Sequence, residues 1–145
     1  MISHIRHTGI VVSDLEKSLK FYEDLLGFKV TKKNEEYGNA IDQVLGLKDA
    51  RVTTVKMSAP DGNLIELLSF STHPRRRKGT LEICDIGITH MAFTVSDIEK
   101  EYARLEKAGV EFNSPPQPSR DGYAKLAFCK DPDGNFVELV EVLKK

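Results

Sequence analysis

Apolar positions along the chain follow two periods, and the same succession of periods occurs twice. Ile10, Val11 and Val12 form a β-branched run, which reads as a strand. Leu15, Leu19, Tyr22 and Leu26 then recur at helical spacing, and Gly27 stands where a helix ends in the left-handed conformation. Strand-like text follows at 28–31, 51–58 and 64–70. The second half runs in the same order. Phe93, Thr94 and Val95 open it, Ile98, Tyr102 and Leu105 recur at helical spacing before Gly109, and strand-like text covers 110–113, 123–130 and 136–143. Ser13 and Ser96 each precede a glutamate by three residues, Glu16 and Glu99. That is the capping-box spacing, in which each side chain satisfies a free backbone N–H at the start of a helix.

The recurrence extends to the letters themselves. HTGIVVSDLEK starts at His7 and HMAFTVSDIEK at His90, an offset of 83, whereas PDGNLIEL at 60–67 and PDGNFVEL at 132–139 are offset by 72. The first half therefore holds eleven extra residues between its histidine and its glutamate, placed most simply around 34–49. Each PDGN presets a tight turn, since Pro fixes the first corner and Gly or Asn accepts positive φ. The last two strands of each half thus read as a hairpin. The expected fold is α+β: two tandem βαβββ modules forming a cupped, largely antiparallel mixed sheet. A single domain over 1–145 is expected, with module 1 at about 4–70, a linker at 71–86 that carries HPRRRKG, and module 2 at about 87–145. SPPQPSRDG at 114–122 reads as a Pro-rich loop, too stiff and polar for core. A half of about 70 residues buries little core alone, so the two are expected to pack together or swap between chains.

Composition narrows the function. Apolar residues make up 40% and charged ones 30%, which fits a packed core with a solvated surface. The formal net charge is −1, from 21 basic and 22 acidic residues. That balance argues against nucleic acid or an anionic membrane as partner, since both need a basic footprint. No stretch approaches the roughly 18–20 apolar residues of a membrane helix, and MISHIRHTGIVV lacks the layout of a signal peptide. Cys84 and Cys129 are too far apart for a local metal or redox motif. A cytoplasmic protein with reduced thiols is expected.

Strand alternation brings in the chemistry. His7 shares a face with Gly9 and Val11, and Glu66 with Leu64 and Leu68; His90 lies with Ala92 and Thr94, and Glu138 with Phe136 and Val140. If the sheet curls with these faces inward, two histidines and two glutamates converge. A carboxylate on an apolar face must be neutralised, paired or bound to a cation. A divalent metal would relieve both carboxylates at once, and two imidazoles with two carboxylates suit Zn, Ni, Co, Mn or Fe(II). Taken singly, a histidine at a strand start is more often a satisfied surface or core residue, and a strand glutamate more often faces solvent, as Glu111 and Glu141 are expected to do. The symmetric recurrence of both types favours a metal site.

HTGIVVSDLEKSLKFYEDLLGF, PDGNLIELL, GITHMAFTVSDIEK and DPDGNFVELVE span nearly the whole chain. On these segments it resembles the vicinal oxygen chelate superfamily, which includes glyoxalase I, methylmalonyl-CoA epimerase, extradiol dioxygenases and bleomycin- and fosfomycin-resistance proteins. Family ligands sit on the opening and closing strand of each module, which implies His7, Glu66, His90 and Glu138 as metal ligands here. One divalent metal per site is implied, Zn or Ni favoured, with Co, Mn or Fe as alternatives. The four-ligand set is similar to that of the glyoxalase I and epimerase branch, and implies a metal-dependent lyase or isomerase acting by proton transfer beside a substrate oxygen. Glu138 is the implied base and Glu66 its counterpart. Glutathione-using members carry an arginine four residues after the first histidine and an asparagine four after the first glutamate. Val11 and Phe70 stand there, against glutathione as the substrate. The alternatives are a methylmalonyl-CoA-type epimerase, although epimerases usually lack the DPDGN turn, an Fe(II) extradiol dioxygenase, and a metal-free small-molecule-binding resistance protein. A small-molecule substrate and a homodimer are implied throughout.

Lesser features carry weaker readings. Arg75, Arg76, Arg77 and Lys78 read as a solvated linker before an anion anchor, and Arg120 to Tyr123 as a surface turn or a loop closing over the site. His4 and His73 are not expected to bind metal, and Met57 and Phe70 are expected in core or interface.

Overall fold

Strand alternation and the two PDGN turns shape each half of the computed structural model, which describes residues 1–73 and 77–143. The chain divides into two compact units, Met1–Lys78 and Gly79–Lys145. The first contains β1 (Thr8–Val11), α1 (Leu15–Leu19), β2 (Lys29–Tyr37), α2 (Asn39–Leu45), β3 (Arg51–Ser58) and β4 (Leu64–Phe70). The second contains β5 (His90–Thr94), α3 (Ile98–Lys107), β6 (Gln117–Pro118), β7 (Ala124–Lys130) and β8 (Phe136–Val142). The sheets run β1-β4-β3-β2 and β5-β8-β7-β6. In each, the first pair is parallel and the other two antiparallel. The class is α+β, as the doubled pattern predicts.

One face of each sheet is covered by its own helix. In the first unit Ile10, Val12, Phe21, Tyr22, Val55, Met57, Ile65 and Leu67 are buried. In the second, Ile98 and Leu105 of α3 are buried along with Ala127, Cys129, Val137 and Leu139, and α3 packs on β7 and β8. Removing this apolar area from water, at about 25 cal/mol per Å², is the main favourable term for each unit. Both helices end as expected at a glycine with positive φ, Gly27 at 81° and Gly109 at 88°, a conformation that strains any residue with a Cβ.

Four local features differ from the expectation. The N-caps are Asp14 and Asp97, whose carboxylates accept from Lys17 N and Lys100 N at 3.1 Å; they take the capping place expected of Ser13 and Ser96. A carboxylate does this better than a hydroxyl because it also meets the positive end of the helix dipole. The first helix passes into a π-helical segment, Lys20–Leu25, with Leu26 N donating to Phe21 O at 3.0 Å. The wider turn lets the adjacent residues Phe21 and Tyr22 both face the core. The eleven extra residues build structure: β2 runs on to Tyr37, α2 follows, and Asp42 accepts from Asp49 N and Ala50 N to tie the segment to β3. In the second half, 110–113 contributes only an isolated bridge, Phe112 to Cys129, and the short outer strand forms inside the Pro-rich loop.

Arg77 and Lys78 are exposed, while Arg75 and Arg76 lie outside the described residues. Among the described residues no helix is long and apolar enough to cross a membrane.

Candidate metal centre

Glu66 lies at the centre of β4, between Ile65 and Leu67, which are buried under the helix. Alternation therefore turns its side chain to the opposite, open face. Its cross-strand neighbours are Gly9 on β1 and Lys56 on β3. His7, one residue before β1, places Nε2 at 3.1 Å from Glu66 Oε2. Lys56 Nζ stands 3.7 Å from the other oxygen, Oε1. The carboxylate is 13% exposed and is thus held between an imidazole and an ammonium group.

The second unit repeats the dyad. Glu138 lies between the buried Val137 and Leu139, with Ala92 and Phe128 as cross-strand neighbours. His90 Nε2 stands 3.4 Å from Glu138 Oε2. Where the first unit has Lys56, the second has Phe128, whose ring meets the His90 ring edge-on at 5.1 Å between centroids. Phe136 stands 6.5 Å from Phe128, and Lys130 Nζ lies 5.8 Å over the Phe136 ring. One open face is therefore charge-compensated and the other aromatic.

The turn that precedes each glutamate sets this register. Asp131 N donates to Asn135 O and Ala59 N to Asn63 O, both at 2.9 Å, closing the two hairpins at equivalent places. Asp131 is buried and accepts from the backbone of Asp133 and Asn135 and from the Asn135 side chain, all at 2.9 Å. Slipping either hairpin by one residue would turn the glutamate into the core.

All four sequence-predicted residues thus appear as two dyads, His7 with Glu66 and His90 with Glu138. Within either unit, no group of three or more His, Cys, Asp or Glu is placed to hold a metal among the described residues. The donor chemistry fits a divalent ion. Two ligands at about 2.1 Å from one ion stand about 3.0–3.4 Å apart across octahedral or tetrahedral angles, and the dyads measure 3.1 and 3.4 Å. The outer support differs. His90 Nδ1 hydrogen-bonds Thr89 Oγ1 at 2.9 Å, which orients the ring, whereas His7 Nδ1 is buried without a partner among the described residues. Among the described residues, His4 and His73 each bond an adjacent hydroxyl, Ser3 and Thr72.

Glu141, expected on the solvent face, is half-buried, and its Oε2 accepts from Ile98 N at 2.8 Å at the start of α3. The sequence reading also passes over Lys56 and Phe128. Both stand ten residues before a glutamate across a PDGN hairpin, so comparing the repeats at that position finds them.

The family model for the Glyoxalase/Bleomycin resistance protein/Dioxygenase superfamily matches residues 4–139. A probable lactoylglutathione lyase of Vibrio cholerae is 32% identical over 139 residues, covering 94% of this chain and 89% of its own. The crystal structure of a glyoxalase family protein from Bacillus cereus superposes with a TM-score of 0.90 at 26% identity, covering 99% and 97% of the two chains. The trypanothione-dependent glyoxalase I of Leishmania major gives 0.67 at 28% identity, covering 97% of this chain and 87% of that one.

Proposed function

We propose, starting from the fact that the chain belongs to the Glyoxalase/Bleomycin resistance protein/Dioxygenase superfamily, that it is a metal-dependent lyase or isomerase of the glyoxalase I type. The observation that carries this reading is the doubled dyad: in each unit an imidazole Nε2 faces a carboxylate oxygen at the same strand register. His7, Glu66, His90 and Glu138 would together hold one divalent ion, Zn or Ni favoured, within one chain or between two. The two units are read as one domain over 1–145, and the protein as a cytoplasmic homodimer acting on a small molecule.

Such an ion supplies Lewis acidity, lowering the cost of negative charge that develops on a substrate oxygen. The chain's own carboxylates move the proton. Glu138 has His90 as its only ion-pair partner among the described residues, while Glu66 is engaged by both His7 and Lys56. Glu138 is thus freer to take a proton from the carbon beside the substrate carbonyl, and to return it at the neighbouring carbon. Phe128 and Phe136 line that side of the face with apolar rings. Val11 and Phe70 offer no polar group where glutathione-using members carry arginine and asparagine, which supports a substrate other than a glutathione adduct.

Elemental analysis of protein purified without chelators should give about one divalent ion per site. Glu138→Gln should abolish turnover in a substrate screen while weakening metal binding less. Full activity in that variant removes the role given to Glu138. Oxygen uptake with a catechol on iron-loaded protein would replace the proposal by a dioxygenase. Tight ligand binding without metal would replace it by a binding protein.

A further inference from the structure

At equivalent registers of the two repeats, Lys56 faces Glu66 where Phe128 faces Glu138. We propose that Lys56 is a specificity-determining residue that selects substrates carrying a negative charge, a carboxylate-bearing oxo compound rather than a neutral one. The inference rests on the metal-site reading above and adds the substrate class.

A charge count carries it. Two ligating carboxylates cancel a divalent ion, and ligating imidazoles are neutral, so a site with an apolar residue at both flanking positions would be neutral before substrate binds. Lys56 adds one positive charge, on the open face, 3.7 Å from Glu66 Oε1 and 28% exposed. Once Glu66 gives its charge to the ion, the ammonium keeps a position at the site without a full counter-charge. A half-buried cation in that state favours an anionic group, and ammonium–carboxylate hydrogen bonds are among the stronger polar contacts. On this face of the first unit the side chains flanking Glu66 along β4 are Leu64 and Leu68, with Val11 beside Leu68, and the exposed Lys32, opposite Lys56 on the outer strand β2, stands one strand farther from Glu66 than Lys56 does. Phe128, on the other dyad, offers only an apolar wall.

A plain structural role predicts something different. If Lys56 served only as counter-ion to Glu66, its removal would disturb the dyad and weaken every ligand alike.

The test is calorimetric titration of the protein with pyruvate and with butane-2,3-dione, which share a vicinal dioxygen skeleton but differ by one charge. The wild type should bind pyruvate at least about tenfold tighter than the dione. Lys56→Met should lose about tenfold in pyruvate affinity, with dione affinity and metal content unchanged, and Lys56→Arg should keep the preference for the anion. Either an equal loss for both ligands or an unchanged preference in Lys56→Met overturns the inference. A wild-type protein that binds pyruvate no better than the dione overturns it too. Metal content is read separately on the same samples. A protein that takes up no ion fails the metal-site reading and the charge count with it, whereas a metal-loaded protein without the charge preference overturns the role of Lys56 alone.

Discussion

Metal removal is the perturbation that tests the candidate centre most directly. An ion that binds only the folded chain stabilises it by RT ln(1 + [L]/Kd), about 2.7 kcal/mol at a hundredfold excess over Kd. The unfolding entropy, about 2.1 cal/mol/K per residue near 60 °C, comes to about 0.3 kcal/mol/K for a chain of 145 residues. Stripping the ion should therefore lower Tm by about 9 °C, and returning Zn or Ni should restore it. The two histidines should not contribute equally. His90 is oriented by Thr89 while His7 Nδ1 is orphaned, and such outer support is worth about tenfold or more in metal affinity. Tenfold is about 1.4 kcal/mol, or about 4–5 °C on the same scale. His90→Ala should thus erase more of the metal-dependent rise than His7→Ala. Differential scanning fluorimetry with and without chelator reads both effects. No rise with any of Zn, Ni, Co, Mn or Fe(II) would rule out a metal centre at these residues. So would a rise that persists undiminished when both histidines are replaced.

Two further outcomes follow from the fold. Cys129 is fully buried, and burial pushes its thiol up to about 12, whereas Cys84 is exposed. A thiolate-directed reagent at pH 8 should modify Cys84 in the native protein and reach Cys129 only after denaturation; rapid labelling of both would contradict this packing. Glu141→Ala should remove the charged acceptor of Ile98 N and cost about 1–2 kcal/mol in denaturant unfolding. An unchanged midpoint would show that water replaces it without loss.

Most of the architecture is legible in the chain because alternation and helical spacing are local properties of the text. The doubled HTGIVVSDLEK and PDGN segments place a histidine and a glutamate on matching strands, and β3 and β4 occupy the expected residues. The outer strands were less legible. A β-strand such as Lys29–Tyr37 is polar and largely exposed, so its partner β3 decides its length through backbone hydrogen bonds and leaves no apolar pattern to read. The π-helical segment is hidden for a related reason, because the core accommodates Phe21 and Tyr22 together and thereby overrides the 3.6-residue spacing.

The dyads divide in the same way. Sequence alone determined which residue types recur and on which face each stands, since side-chain direction in a strand follows from counting by twos. Tertiary structure decided that His7 meets Glu66 at 3.1 Å and His90 meets Glu138 at 3.4 Å, because parallel pairing of β1 with β4 and of β5 with β8 joins segments far apart in the chain. It also decided that Lys56 stands against one carboxylate and Phe128 against the other. That difference depends on hairpin register, which hydrogen bonds across the two PDGN turns select.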